Sequence, residues 1–525
     1  MVLLVGCSGH ITRDNLFCQD LSLFPLEEVS QQEAERRNSS KRRRRRLPLP
    51  PGPTPLPIIG NMLLMDQLTH RGLARLAKLY GGLLHLRLGF VHHFVVSTPD
   101  VARQVLQVQD SVFSDRPATT AIVYLTYNRS DLAFAQCGPY WRQMRKLCVM
   151  KLFSRKHAES WLSIPEEVDA AVCTVAKHAG SAFNVRDLAF TLTKNIVFRS
   201  AFGKRSDENQ EEYIAVVREI SALLGAFSVG DFIPWLSWMD PQGINKRLRV
   251  ARATLDLFID RIIDEHMATD AANADMVGVM LAFLEESSHH HRQGEGDDLK
   301  GTLRLSRANI SAVMMDVMFG GTETVAIAIE WALADLLTSP DDLKRVQEEL
   351  AMVVGLHRKV HESHLDKLSF LKCAIKETLR LHPPFPLLLH QTADHCEVAG
   401  YSIPARSPVM INVWAIGRDE SAWKDADAYR PSRFAPGGDA AALDFKGNCF
   451  EFLPFGSGRR SCPGMQLGMH ELELAVAQLL HCFTWALPDG MKPTELDMGD
   501  VFGLSAPKAV PLVAVPTPRL SCPLN

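Results

Sequence analysis

No run of 18 or more consecutive apolar residues occurs in this chain of 525 residues, so the sequence offers no candidate membrane-spanning helix. Met1 to Val5 is too short for the apolar core of a signal peptide. No C-x-x-C pair occurs either. The 11 cysteines are scattered and odd in number, which argues against a zinc site or a disulfide framework and for a reducing, cytosol-facing environment. Sequons such as Asn128-Arg-Ser130 then read as chance matches. An excess of one charge is also missing: 57 basic and 60 acidic side chains leave a net charge of −3, which excludes a chain that binds nucleic acid as a whole. There is no internal repeat, and no Gly-x-Gly-x-x-Gly turn built between a strand and a helix, so neither flavin nor nicotinamide has a fingerprint here. The composition, 46% apolar and 22% charged, is that of a globular protein with a large core. Length alone suggests about three domains.

Residues 27–46 are polar and end in Lys41-Arg42-Arg43-Arg44-Arg45-Arg46, followed by the stiff extended segment Leu47-Pro48-Leu49-Pro50-Pro51-Gly52-Pro53. An arginine run of this kind suits a nuclear or nucleic-acid signal, or a place beside an anionic membrane surface, where each basic residue contributes about 1 kcal/mol. The membrane surface is the expectation here.

Apolar spacing predicts a short helix and then a strand pair over 54–110, with Leu83-Leu-His-Leu-Arg-Leu and His93-Phe-Val-Val around a Gly-Phe turn. Residues 155–285 read as mostly helical. Within them Ser221 to Met239 is unusually apolar and aromatic, suiting a channel cap, a lipid contact or plain core. Residues 287–303 read as a solvated loop, and the adjacent His289-His290-His291 lack the geometry of a metal site. A long helical pattern runs from Leu305 to Leu337, broken locally at Gly320-Gly321; more helix reaches Leu381, and short strands follow around 396–413. The fold class expected is mainly α with a smaller β region.

The most informative stretch is Phe455-Gly-Ser-Gly458-Arg-Arg460-Ser-Cys462-Pro-Gly464, directly before an apolar helix pattern from Met465 to Trp485. Glycines let the backbone approach a flat cofactor, and the helix start lends its positive dipole end to an anionic sulfur. A thiolate held this way is an axial ligand for haem iron, and its electron push favours cleavage of the O–O bond. A buried structural cysteine beside a Gly-rich turn is the bland alternative; a dinucleotide loop is a poor reading, because no third glycine falls at the right spacing and no strand–helix unit is built around it.

The pattern F-x-x-G-x-R-x-C-x-G resembles the haem-thiolate monooxygenases of the cytochrome P-450 superfamily. The resemblance implies that fold, with Cys462 as iron ligand to a haem b, Arg460 as partner of a haem propionate, Phe455 packed beside the sulfur and Gly464 closing the loop. It implies one catalytic domain over 47–517, flanked by tails at 1–46 and 518–525. Membrane-bound members carry an apolar anchor before a basic stretch and proline hinge; here the stretch and hinge are present without that anchor.

Two glycines inside a helix cost about 1 kcal/mol each relative to alanine, which is tolerated where something flat or small must approach the backbone. Gly320-Gly321-Thr322-Glu323-Thr324 then supplies an acid and an alcohol at one point, the parts of a proton relay to the distal oxygen. The stretch resembles the family's A/G-G-x-D/E-T, implying Thr324 as the hydrogen-bonding alcohol and Glu323 as the relay carboxylate. Val325 stands where many members carry a second hydroxyl. Taken alone, such a Gly-Gly-Thr is a packing contact.

Glu377-Thr-Leu-Arg380 places opposite charges three apart on one helical face. With Arg433 in Tyr429-Arg-Pro431-Ser-Arg433-Phe434, the pair matches the family's buried ion network that supports the cysteine loop. Trp141 and Arg145, one turn apart, and His390 resemble the residues that hold haem propionates. Arg142, Lys146, Lys151, Arg155 and Lys156 form a basic set suited to an acidic flavoprotein reductase. Since the chain lacks a flavin or nicotinamide fingerprint, electrons from NADPH arrive through that separate reductase.

Phe113-Ser-Asp-Arg-Pro-Ala, Gly225-Ala-Phe, Asp231-Phe-Ile-Pro-Trp, His382-Pro-Pro, Pro386-Leu-Leu-Leu-His, Leu480-His-Cys-Phe-Thr-Trp and Asp500-Val-Phe-Gly-Leu are similar to the plant ferulate (coniferaldehyde) 5-hydroxylases. That similarity implies dioxygen-dependent hydroxylation of a guaiacyl phenylpropanoid at the ring 5-position, toward syringyl lignin, at the cytosolic face of the endoplasmic reticulum membrane. Phe385, expected to project into the pocket, stands where a smaller aliphatic residue is usual. A flavonoid B-ring hydroxylase and a haem-thiolate isomerase or dehydratase not using dioxygen are the rival enzymes; a nucleic-acid binder led by the arginine run is the non-enzymatic one.

Overall fold

The computed structural model describes residues 47–67, 69–151, 153, 159–203, 210–240, 242–268, 275–290 and 305–524. The arginine run at 41–46, Arg155 and Lys156 lie outside them. The chain divides into the units Met1–Pro48 and Leu49–Asn525, and the second holds the elements of the fold.

The second unit is built around one helix. Arg307–Thr338 begins at a capping box, where Ser306 and Asn309 satisfy each other's backbone N–H groups, and is buried on nearly all sides from Ile310 to Leu337. It runs through Gly320-Gly321 unbroken, contrary to the expected interruption. A Cβ at Gly321 would lie 2.7 Å from Val197 Cγ2 of the Val185–Phe202 helix. The glycine therefore permits close helix packing, and burial outweighs its poor propensity. At Gly320 a Cβ would meet nothing within 4 Å, so that side of the helix is open.

The remaining helices pack about this axis as the apolar spacing predicted: Glu159–Lys177, Val185–Phe202, Gln210–Leu224 and Ile244–Ala268 before it in sequence, then Pro340–Val354, Ser369–Leu381 and Met465–Cys482 after it. The last stops at Cys482 rather than Trp485, because Phe483–Ala486 is a strand. Helix also extends through His290, replacing the first residues of the loop expected at 287–303; residues 291–303 lie outside the described ones.

Nine strands among the described residues complete the unit. In chain order they are β1 (Leu83–Leu88), β2 (Val91–Val96), β3 (Phe183–Asn184), β4 (Leu387–Gln391), β5 (Cys396–Val398), β6 (Tyr401–Ile403), β7 (Pro408–Asn412), β8 (Phe483–Ala486) and β9 (Val513–Pro518). The main sheet has the order β1-β2-β7-β4. The β1–β2 hairpin aligns Leu83 with Val96, β2 runs parallel to β7 with Phe94 opposite Val409, and β4 returns antiparallel with His390 opposite Val409. Strand β4 was missed at the sequence level. It places His390 in the interior, 4% exposed.

Averaged hydropathy finds two helical stretches long and apolar enough to cross a membrane, which counting consecutive apolar residues did not reveal. Arg307–Thr338 is the core helix, with 72% of its most apolar window buried. Glu211–Phe232 is 44% buried and is interrupted at residues 225–228. The apolar segment Ser221 to Met239 divides in the same way. Leu223, Leu224, Phe232 and Ile233 are core, whereas Trp235 and Trp238 are 56% and 80% exposed.

Candidate active site

The cysteine loop folds back on itself through Cys462 N–H, which donates to Phe455 O at 2.9 Å. Gly456 and Gly458 sit at φ 70° and 67°, the left-handed region, and a Cβ on Gly458 would meet Leu106 O at 2.6 Å. The ring of Phe455 packs edge-on to Phe445 at 5.8 Å. Cys462 is accessible, whereas the other described cysteines are buried or half-buried. Protein packed around the sulfur pushes its thiol up, while the Gly464 N–H and the Arg145 charge favour the thiolate. A cation bound directly to the sulfur would complete that pull.

Beside the loop, cations gather. Arg145 donates to Ser461 O at 2.7 Å and lies over the Trp141 ring at 5.6 Å. Arg460 covers the same ring at 4.3 Å and donates from Nε to Ser114 O at 2.7 Å. Arg116, which sequence reasoning missed, donates from Nε to Ala133 O at 3.1 Å and from Nη1 to Leu389 O. Burial and the neighbouring Arg460 and Arg145 lower Arg116 to about 9; burial lowers Arg460 to about 10. Among the described residues, none of these arginines forms an ion pair with a carboxylate; their partners are carbonyls. Burial and mutual repulsion disfavour these charges, against the pull of Asp131 on Arg116 and of Asp115 and Asp131 on Arg460, so a further anion among them is favoured.

Trp141 and His390 each already bond a protein carbonyl. The Trp141 N–H is given to Leu132 O at 3.1 Å, and Arg145 and Arg460 lie over its ring. His390 Nδ1 is 2.8 Å from Phe113 O and must carry the proton that this carbonyl accepts. Burial and the arginine charges lower its pKa to about 3, so the ring is neutral and presents Nε2 as an acceptor. To hold a carboxylate it must gain a second proton, which an adjacent anion favours.

On the long helix, Thr324 Oγ1 donates to Gly320 O at 2.7 Å, leaving its oxygen able to accept. Glu323 is 2% exposed, and its Oε2 has no hydrogen-bond partner among the described residues. Burial raises its pKa to about 7, against the pull of Ser221, Ser505 and Arg218. Phe385, half-buried, stacks on Phe319 of the long helix with centroids 6.0 Å apart.

Glu377 lies between two arginines. It accepts from Arg380 at 2.7 and 2.8 Å and from Arg433 at 2.9 Å, with all three side chains 0% exposed. Phe434, next to Arg433, packs on Phe452 at 5.3 Å, just before the cysteine loop. This contact connects the ion network to the loop.

Of the basic set, Arg142 and Lys146 are exposed. The side chain of Lys151 lies outside the described ones.

A haem fits these residues: an accessible thiol able to ligate iron, guanidinium groups without a carboxylate partner suited to two propionates, and open space beside Gly320. The cytochrome P450 family profile matches residues 50–513, and the chain belongs to that family of haem-containing monooxygenases. Within it the chain is similar to Cytochrome P450 84A1 of Arabidopsis thaliana, 62% identical over 487 residues that cover 91% of this chain and 93% of that protein. Cytochrome P450 84A4 of the same plant is 56% identical, covering 91% and 94%. Flavonoid 3'-monooxygenase CYP75B137 of Crocosmia x crocosmiiflora is 39% identical, covering 90% and 93%.

Proposed function

We propose that this protein is a monooxygenase that hydroxylates guaiacyl phenylpropanoids (ferulate, coniferaldehyde or coniferyl alcohol) at the ring 5-position, in syringyl lignin formation. It takes electrons from NADPH through a separate flavoprotein reductase, at the cytosolic face of the endoplasmic reticulum membrane. The catalytic domain is 47–517. The observation that carries the reading is the accessible Cys462 thiol beside the buried Arg460 and half-buried Arg116 and Arg145, which form no ion pair with a carboxylate among the described residues, with Glu323 and Thr324 on the long helix.

Haem bound by Cys462 supplies the iron that activates dioxygen. Arg116, Arg145 and Arg460 bind its propionates, and Glu377, Arg380 and Arg433 support the loop that carries the sulfur. Glu323, poised near neutrality, holds a proton that it releases and regains at working pH. Thr324, whose hydroxyl hydrogen rests on Gly320 O, offers its oxygen as an acceptor and can relay a proton only by releasing its own hydrogen as it takes one up. The Phe319–Phe385 stack orients a flat aromatic substrate and excludes water. Exposed Leu63, Phe90, Trp235 and Trp238 supply an apolar face for lipid, where Phe90 packs on Trp235 at 5.2 Å.

The test is incubation of the haem-loaded protein with plant reductase, NADPH and coniferaldehyde, with detection of the 5-hydroxylated product by mass. Product that disappears without NADPH supports the reading. A thiolate-type carbon-monoxide spectrum without product overturns the substrate assignment and favours a flavonoid, the substrate class in the name of the Crocosmia relative.

A further inference from the structure

Two stretches that play no part in the haem site, Gly225-Ala-Phe and Asp500-Val-Phe-Gly-Leu, meet in space. Leu504 N–H donates to Ser221 O at 3.3 Å. A Cβ on Gly225 would lie 2.4 Å from Leu504 N and 2.5 Å from Gly503 C, so only glycine lets the end of the Gln210–Leu224 helix rest on the 499–506 segment. Inside this interlock, Ser221 Oγ and Ser505 Oγ are 2.8 Å apart. Both serines are buried, 3% and 1% exposed, and both hydroxyls act on the Glu323 carboxyl, lowering its pKa against the effect of burial. Oε2 of that carboxyl has no hydrogen-bond partner among the described residues. The charge acting on it is Arg218, one turn before Ser221 on the same helix.

We propose that Ser221 and Ser505 are the positioning residues of Glu323, and that the contact of Gly225 with Gly503 and Leu504 keeps them closed over it. The two hydroxyls bond each other, so either can turn to the carboxyl while the other satisfies it. This leaves the carboxyl oriented without a fixed ion pair, free to exchange its proton. Firm pairing with an arginine would hold Glu323 ionised, and no partner at all would hold it protonated. The inference rests on the reading of Glu323 as a proton source.

The experiment uses the haem-loaded full chain and two readouts. The first is the infrared carbonyl band of the protonated Glu323 carboxyl, assigned by its disappearance in Glu323→Gln. In Ser221→Ala and Ser505→Ala this band is expected at higher frequency, since a hydroxyl able to turn to the carboxyl is gone; Ser505→Thr should return it. Gly225→Ala removes neither hydroxyl but separates the two segments, and should shift the band in the same direction.

The second readout is the product formed per NADPH consumed. It should fall about tenfold in each serine variant, with no further fall when Ser505→Ala is added to Glu323→Gln. An unmoved band, or an equal additional fall on the Glu323→Gln background, overturns the proposal. A shifted band together with unchanged coupling in Glu323→Gln leaves the positioning intact and overturns the proton-source reading instead.

Discussion

Two arginine clusters, one buried and one partly buried, lie in the second unit, and they differ in where their negative charge comes from. Arg380 and Arg433 share Glu377, and their guanidinium edges are satisfied by that carboxylate and by backbone carbonyls. Arg116, Arg145 and Arg460 find carbonyls but no carboxylate among the described residues. A cluster that closes on itself needs nothing further and acts as scaffold. One on which Asp115 and Asp131 act without forming an ion pair keeps room for something that brings charge in. The same contrast separates Glu377 from Glu323, whose Oε2 has no partner among the described residues.

The sharpest test of the contrast is to remove the counter-charge where it exists. Glu377→Ala strands two guanidinium groups at 0% exposure and should destabilise the protein by about 3–5 kcal/mol, read as denaturant midpoint and as haem retained on purification. Retention of normal stability would mean that the two clusters do not differ in this way. Next in size, Glu323→Gln and Thr324→Ala should each lower product formation by about 100-fold or more while leaving stability and the carbon-monoxide spectrum nearly unchanged. An equal loss of folded protein would make both residues packing groups.

Removing charge from the open cluster should do the reverse of Glu377→Ala. Arg145→Gln relieves repulsion between guanidinium groups, so the haem-free protein should be no less stable, while haem affinity falls about tenfold or more by titration. His390 gives a pH signature of the same cluster. Its pKa is about 3 in the fold against an ordinary 6.5, because burial and the arginines oppose its charging. Its contribution to stability is therefore complete above pH 6.5. It is lost as pH falls from 6.5 toward 3, at about 1.4 kcal/mol per pH unit. His390→Gln should remove that slope from the haem-free protein. Haem binding should take up a proton in the same range if the propionates sit beside His390, which calorimetry in buffers of different ionisation heat would measure.

The sequence revealed local patterns and concealed those made across long distances. Cys462 with its glycines, Glu323 beside Thr324, and Glu377 three residues before Arg380 are short spacings, and the structure brings each set together. Arg116 was not singled out, because its significance depends on Leu389, 273 residues away, and on Arg460. Strand β4 escaped notice because Pro386-Leu-Leu-Leu-His follows a proline-rich turn and shows no alternation; its pairing with β7 creates it. The helix continues through Gly320-Gly321 because Val197 needs that space, a tertiary reason that propensity cannot register. Likewise Cys482 ends its helix because Phe483–Ala486 pairs with β9.

The smallest expected effect lies outside both clusters and sharpens what separates them. Arg142 and Lys146 are exposed on the helix that also carries Trp141 and Arg145. Their charges are solvated, so each contributes little to stability. Replacing both with glutamate should leave the denaturant midpoint and haem content unchanged within about 0.5 kcal/mol. Reduction by the proposed flavoprotein reductase should nevertheless slow several-fold at low salt, with the difference shrinking as ionic strength rises and screens the encounter. An unchanged rate at low salt would assign the docking face elsewhere. A loss of haem would instead mean that this turn of the helix, like Arg145, belongs to the open cluster.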